Sequence, residues 1–401
     1  MMEGQPAGVK DALPEVGRPP RILVLSFSPI HRDPRVLRQI MVLGELGDVV
    51  SCGYGGSPEG VVEHIRIPDS LKPWRPDFKA VALLLGARAH SRLYFKSARV
   101  RLVLEKIQPG TVDVIVANDA IAVPLALELR PRLGVHADLH EFAPRQGEDK
   151  LQWRLLVGPL MDWACRHLKH VDSVSTVAPG IADAYAQDYK IPRPSVVANA
   201  AAYRAEIEPT PVGHPLRLVH TGVAGRARKI EVMIDAVAVA NARQQGSVTL
   251  DLVVVPGDET YIQELAERAA SVPGSAVRLL PPVSYAEIVP MLRGYDVGIF
   301  LCPPSTFNLR HALPNKLFEF IQARLAVLIG PSPEMEAVVR EYGVGWITRD
   351  FSAEAAAETL GGMTAAHVAK KKAASHAAAR QLSSESMSRP WADSVRVLLG
   401  L

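Results

Sequence analysis

RILVLSFSPIHRDPRVLRQIMVLGEL, residues 21–46, carries the fold in miniature. Its first eight residues are β-branched and Leu-rich, the mark of a strand buried on both faces. Asp33-Pro34 then supplies an N-cap and a proline at the first helical position. Val36, Ile40 and Leu43 recur at helical spacing, and Gly47 closes the helix. A buried strand followed directly by a helix is the repeating half of a parallel sheet, whose strands need a crossover.

The alternation extends outward. DVVSCGY (48–54), VEHIRIP (62–68), VDVIVAN (112–118), VHADLHE (135–141), SVSTVA (173–178) and PSVVAN (194–199) read as strands. Helices are expected over 120–133, through Ala164, and from Pro179. AYRAEIEPTPVGHP (202–215) breaks the pattern with proline, glycine and charge, and reads as a linker. A second series follows: LRLVHTG (216–222), a helix over 230–243, LDLVVVPGD (250–258), a helix to Ala270, AVRLLPP (276–282), a helix over 285–292, YDVGIFL (295–301), a helix over 314–323, LAVLIG (325–330) and a helix from Pro333. The prediction is an α/β chain with two doubly wound, Rossmann-like parallel-sheet domains, 21–205 and 206–375. A disordered leader, 1–20, precedes them and a helical segment, 376–401, follows. Ligands in such folds sit outside the carboxyl ends of strands, so a central cleft between the two domains is the expected site.

Bulk properties agree. A chain of 401 residues exceeds the size of one growing core. Apolar residues at 48% and charged residues at 22% describe an ordinary globular protein. A formal charge of +3 gives no concentrated basic footprint, so nucleic acid is not an expected partner. Cys52, Cys165 and Cys302 are odd in number and far apart, which argues against a disulfide framework or structural zinc. No signal peptide is legible, and the longest apolar runs, such as 80–87, fall far short of the roughly 20 residues a spanning helix needs. A cytoplasmic protein is expected.

RHALPNKLFEFIQA (310–323) is the segment richest in chemistry. Pro314 stands where a helix begins, with Lys316 and Glu319 at i, i+3 spacing in its first turns. A helix N-terminus presents free N–H groups and a positive dipole end, which suits a diphosphate. Lys316 adds charge, and Glu319 could accept from a ribose diol. The same spacing also describes a capped surface helix with a Lys–Glu pair.

Here the sequence resembles the retaining GT-B glycosyltransferases of family 4, in the branch with a PNKLFEY-like motif. Five collinear segments carry the likeness: HRDPRVLRQIMVLGELG (31–47), VDVIVANDAIAVPLA (112–126), ADLHEFAP (137–144), VSTVAPGIADAYAQDYKIPRPSVVANA (174–200) and LPNKLFEFIQARLAV (313–327). The resemblance implies that the second domain binds a UDP- or GDP-linked sugar and the first binds the acceptor. Glu319 matches the ribose-binding glutamate, and Arg228 falls where relatives carry a diphosphate-binding cation. The donor set implied is Gly222, Arg228, Lys229, Val283, His311, Asn315, Lys316, Leu317 and Glu319. His140 matches the active-site histidine, with Asp33, Asp119 and Glu141 on the acceptor side; His140, Arg228 and Lys316 would be catalytic. Neither a metal nor a cofactor is implied. The final helix, over 391–399, would pack back on the first domain.

Departures are informative. His311 occupies the position, eight before Glu319, where the family usually has an acid. SFSPIH replaces a Gly-Gly loop after the first strand, and Arg324 and Ala326 replace Gly and Pro. These changes keep open an accessory subunit of another glycosyltransferase, or a sugar-nucleotide epimerase on the same fold. The expected reaction is hexosyl transfer to a glycan, lipid-linked or small-molecule acceptor. Arg88, Arg92, Lys96 and Arg99, with Leu93, Val100 and Leu104, fit one basic amphipathic helix near Trp74 and Phe78. That face could touch an anionic membrane surface, or simply be solvated.

Overall fold

The computed structural model of the chain describes residues 17–71 and 89–401. The leader up to residue 16, Trp74, Phe78, Arg88 and the apolar run 80–87 lie outside the described residues. The chain divides into two compact units, one running to Val197 and resuming as Ser388–Leu401, the other Ala198–Met387. In the first unit the strands are β1 (Arg21–Pro29), β2 (Asp48–Tyr54), β3 (Glu63–Ile67), β4 (Val114–Asn118), β5 (Gly134–Leu139), β6 (Ser173–Thr176) and β7 (Ser195–Val196). Among the described residues they form one parallel sheet in the order β3-β2-β1-β4-β5-β6-β7. The second unit has β8 (Leu216–Ala224), β9 (Val248–Pro256), β10 (Val277–Leu280), β11 (Val297–Phe300), β12 (Ala326–Ile329) and β13 (Gly345–Ile347). Its parallel order is β10-β9-β8-β11-β12-β13. Strand order reverses at β1/β4 and at β8/β11. Those two switch points are where ligands bind in such sheets.

Burial explains the pattern. β4 and β5 are buried at every residue, as an interior parallel strand must be. Asp33 caps the first helix, Pro34–Gly44, accepting from the N–H groups of Arg35 and Val36. The terminal helix Arg389–Leu399 lays Val395 and Leu399 into the core of Ile22, Val24, Ile40, Val114 and Val116. The division between units falls at 197/198, not at 205/206. Residues of the expected linker are tied to the second unit: Lys372 Nζ donates to Thr210 Oγ1 at 2.9 Å, and Gly213 N–H reaches Asp296. The expected leader is likewise held at its end, where Arg18 pairs with Asp113 at 3.3 Å.

Three expected helices come out differently. The one over 120–133 is a 3-10 turn and a short helix, Val123–Glu128; Pro131 disfavours helix at the residue before it, and Arg130 takes φ +46°. The one ending near Ala164 passes through a π-helical turn, Trp153–Val157, before Gly158–Cys165, where Pro159 withdraws a backbone N–H. The basic helix is two helices, His90–Phe95 and Ala98–Lys106, broken where Ser97 turns extended. Arg99 then stacks on Phe27 at 4.2 Å, while Arg92 and Lys96 stay exposed. Among the described residues, Arg92, Lys96 and Arg99 therefore do not share one helix face.

Arg324 stands just past the helix Asn315–Gln322 at φ +62°, a conformation glycine adopts more readily. Its buried guanidinium donates to the Gln322 and Arg204 carbonyls at 2.7 and 2.6 Å and to His376 Nδ1 at 3.2 Å. The departure from glycine is therefore a structural tie. Arg324→Gly should relieve roughly 1 kcal/mol of backbone cost but withdraw a donor from buried carbonyls, at about 1–3 kcal/mol each. A lower denaturant midpoint is the expected net result.

Candidate functional site

At the β8/β11 switch point, Gly222 lies near the carboxyl end of β8 with φ +133°. A Cβ there would sit 2.8 Å from Lys316 Nζ and 4.0 Å from an Arg228 guanidinium nitrogen. Glycine leaves open the space beside the strand that the Lys316 ammonium takes, with Arg228 at ordinary contact distance. Arg228 is placed by the 3-10 turn Arg226–Arg228 directly after β8. Lys316 comes from the first turn of Asn315–Gln322, which begins after Pro314 without any side-chain cap or acidic residue.

Lys316 is unusual. It is 5% exposed, its Nζ lies 4.3 Å above the Phe300 ring, and that nitrogen has no hydrogen-bond partner. Burial, then the charge of Arg228, pushes its pKa down to about 7, with Glu319 opposing. A buried, unpartnered cation beside a second cation is costly unless an anion joins it. Glu319 is buried one turn on, and Leu317 fixes the helix in the core.

Three groups that the sequence reading passed over share this end of the sheet. His220 on β8 donates from Nδ1 to the Ile299 carbonyl at 3.1 Å and stacks on Phe300, leaving its buried Nε2 without a partner. Burial, then the charges of Lys316 and Arg228, holds its pKa well below the ordinary value. Thr221 Oγ1 is buried and unpartnered too, and the buried Cys302 thiol lies in the same cationic field. Contiguity in HTG was the only available signal.

The other residues expected on the donor side are less converged. Lys229 sits 3.6 Å from Glu231 and is exposed. Arg226 is engaged by Asp258 and Glu264. His311 is held by Glu334 at 2.8 Å. Val283 is 36% exposed on the segment after β10. Asn315 is half-buried at the first helical position.

In the first unit, His140 follows β5 at the β1/β4 end. Its Nε2 lies 3.1 Å from Asn118 Oδ1 and 3.5 Å from Asp138 Oδ2, and its backbone N–H donates to Asp119. Burial opposes charging the ring, but Asp119 and Asp138 outweigh it and raise the pKa. Asp119 has φ +66° and ψ 153°, a backbone region that is nearly glycine-only and costs on the order of 1–3 kcal/mol. Asp119→Asn should lower the His140 pKa, which an NMR titration of the ring reads directly. Beneath, Asp138 is fully buried and takes bidentate bonds from Arg35 at 2.8 and 2.7 Å, with Ser175 at 2.6 Å and Trp391 Nε1 at 3.2 Å. Burial alone would raise its pKa, yet Arg35 holds it well below the usual carboxylate range.

Asp33 is less available. Besides capping, it accepts from Ser28 Oγ at 2.8 Å, which closes the SFSPIH loop after β1. Glu141 is half-buried, its carbonyl accepting from Tyr185 at 2.7 Å. Among the described residues no group of three or more His, Cys, Asp or Glu is placed to hold a metal ion, and no helix is long and apolar enough to cross a membrane.

No protein-family model matches the chain, and no curated protein matches it by sequence. Solved structures do match. Anabaena Alr3699/HepE in complex with UDP and glucose aligns at TM-score 0.69 with 14% identity, over 94% of this chain and 99% of that one. An α,α-trehalose-6-phosphate synthase from Burkholderia multivorans aligns at 0.66 with 14% identity, over 95% and 98%. A trehalose-6-phosphate structure from E. coli bound with UDP-2-fluoro glucose aligns at 0.67 with 12% identity, over 95% and 99%. These likenesses establish the fold: two parallel-sheet, Rossmann-like units of the GT-B class.

Proposed function

We propose that the chain is a glycosyltransferase of the family 4 type, moving a hexosyl group from a nucleoside diphosphate sugar to an acceptor hydroxyl with retention. The observation that carries it is the buried, unpartnered Lys316 ammonium beside Arg228 at Gly222. This arrangement has the charge and unfilled hydrogen-bonding capacity that a diphosphate supplies. UDP and UDP-linked sugars are bound by the structural neighbours, which supports a UDP donor, with GDP as the second choice.

In the reaction, the sugar–phosphate bond breaks and negative charge grows on the departing diphosphate. Lys316, Arg228 and the uncapped helix start stabilise that charge, so no metal is required. Glu319 holds the ribose. The leaving phosphate oxygen takes the acceptor proton, and His140, with Asp119 and Asn118 about it, lines the acceptor end in the first unit. A glycan, lipid-linked or small-molecule acceptor fits this reading, as does a cytoplasmic protein whose exposed Arg92 and Lys96 meet a membrane surface only peripherally.

Calorimetry with UDP and GDP tests the donor half. Glu319→Ala should weaken nucleotide binding about 10- to 100-fold, as loss of a hydrogen bond to a charged group does. Unchanged affinity would remove Glu319 from the site. Conversion of a nucleotide sugar without any acceptor would instead mark an epimerase, and activity only alongside another glycosyltransferase an accessory subunit.

A further inference from the structure

The two ring nitrogens of His140 meet unlike surroundings. Nε2 faces buried groups, 3.1 Å from Asn118 Oδ1. Nδ1 lies 3.6 Å from Asp119 Oδ2 and, among the described residues, makes no hydrogen bond. Behind Nε2 runs a relay of buried amides. Asn118 Nδ2 donates to Gln39 Oε1 at 2.8 Å, and Gln39 Nε2 donates to Asp138 Oδ2 at 3.3 Å. Gln39 and Asn118 are both buried, away from competing water.

An amide turned end for end exchanges a donor for an acceptor, so the direction of this relay needs an anchor. Asp138 is that anchor. Arg35 grips both its oxygens at 2.8 and 2.7 Å and keeps it a carboxylate, which only accepts. Gln39 must then turn its nitrogen to Asp138 and its oxygen to Asn118. Asn118 in turn gives its nitrogen to Gln39 and its oxygen to His140. An oxygen facing Nε2 requires a proton there, in the neutral ring and in the charged one alike. The reverse direction would press the Gln39 carbonyl against a buried carboxylate, with no water to relieve it.

We infer that Gln39 is a positioning residue which, through Asn118, holds His140 in its Nε2–H form. Nδ1, beside Asp119, is then the atom at which the ring gains or loses its proton and meets a ligand. The charged groups acting on the ring are Asp119 and Asp138, which favour its protonation, and Arg35, which opposes it. Gln39 adds no charge to them; it selects the nitrogen. The inference rests on the reading of His140 as lining the acceptor end, but the tautomer itself is a property of the ligand-free protein.

The test is nitrogen NMR of the full, ligand-free chain labelled in its histidines, where a protonated ring nitrogen is distinct from a bare one. A His140→Gln variant assigns the resonances. Above the pKa of the ring, wild type should hold the proton on Nε2 over Nδ1 by at least about tenfold. Gln39→Met, similar in length but unable to bond, frees Asn118 to turn, and Asp119 then competes for the proton at Nδ1. The ratio should fall about three- to tenfold, the value of one neutral hydrogen bond, and Asn118→Leu should lower it likewise by removing the next link. Melting curves show which variants fold. A wild-type ring protonated at Nδ1, or a ratio unchanged in either folded variant, overturns the inference while leaving the diphosphate site standing. Failure of the wild type to bind UDP or GDP is read separately, and would sink the donor reading without moving the ratio.

Discussion

Lys316→Met is expected to raise the melting temperature of the ligand-free protein while removing its nucleotide affinity. The ammonium is buried, unpartnered and repelled by Arg228, so the empty site is destabilised by its presence. An apolar chain of similar length should recover on the order of 1–4 kcal/mol, worth several degrees in a unit of this size. Between the folded pKa of about 7 and the ordinary value of 10.5, the unfolded chain holds a proton that the folded chain lacks. Stability therefore rises with pH through that window, and the substitution should flatten the rise. Binding runs the other way. A diphosphate needs the ammonium, so wild-type affinity should fall as pH climbs above about 7, by at most tenfold per unit, with proton uptake on binding. Loss of one preorganised donor should also lower turnover roughly 10²- to 10³-fold. Melting curves and calorimetry from pH 6 to 9 read all of this, and a destabilised Lys316→Met protein would refute the account.

Asp138→Ala should be among the most destabilising single changes in the first unit. It strands the Arg35 guanidinium, 4% exposed, without its bidentate partner. Removing one member of a buried pair typically costs 3–5 kcal/mol, and here Ser175, Gln39 and Trp391 lose an acceptor as well. A fall of roughly 10 °C in the unit's melting temperature follows. Because the folded pKa of Asp138 is depressed, its contribution is present above the ordinary carboxylate pKa and is lost as pH falls below it. Replacing Arg35 and Asp138 together by apolar residues should restore much of the loss. A double variant as unstable as the single one would show that packing, not the stranded charge, is responsible.

Both sheets were legible because parallel strands buried on two faces leave unbroken Val, Ile and Leu runs, as in VIVAN and AVLI. Helix ends were less so. At Arg130 and Pro159 local backbone chemistry interrupts apolar spacing that would otherwise continue. In the site, Lys316 and Arg228 stood out as cations at helix and strand ends, and their approach to Gly222 is a matter of register. His220 and Glu334 were invisible for the same reason. A histidine inside an apolar strand, and a glutamate in a helix's first turn, look like ordinary core and surface residues until their partners, 79 and 23 positions away, are known. Arg324 is the converse case: in sequence it is only a departure from glycine, and its role is set by the buried Gln322 and Arg204 carbonyls its side chain serves.

The helix Arg389–Leu399 belongs to the first unit although the whole second unit precedes it in the chain. During synthesis, residues 198–387 take roughly ten to forty seconds to emerge, and throughout that interval Asp138 lacks its indole neighbour and the β1 core lacks Val395 and Leu399. The amino-terminal half must therefore wait on the ribosome, unfinished, while the later-made half is free to mature first. Sites of chaperone engagement and of co-translational proteolysis should concentrate in the earlier sequence.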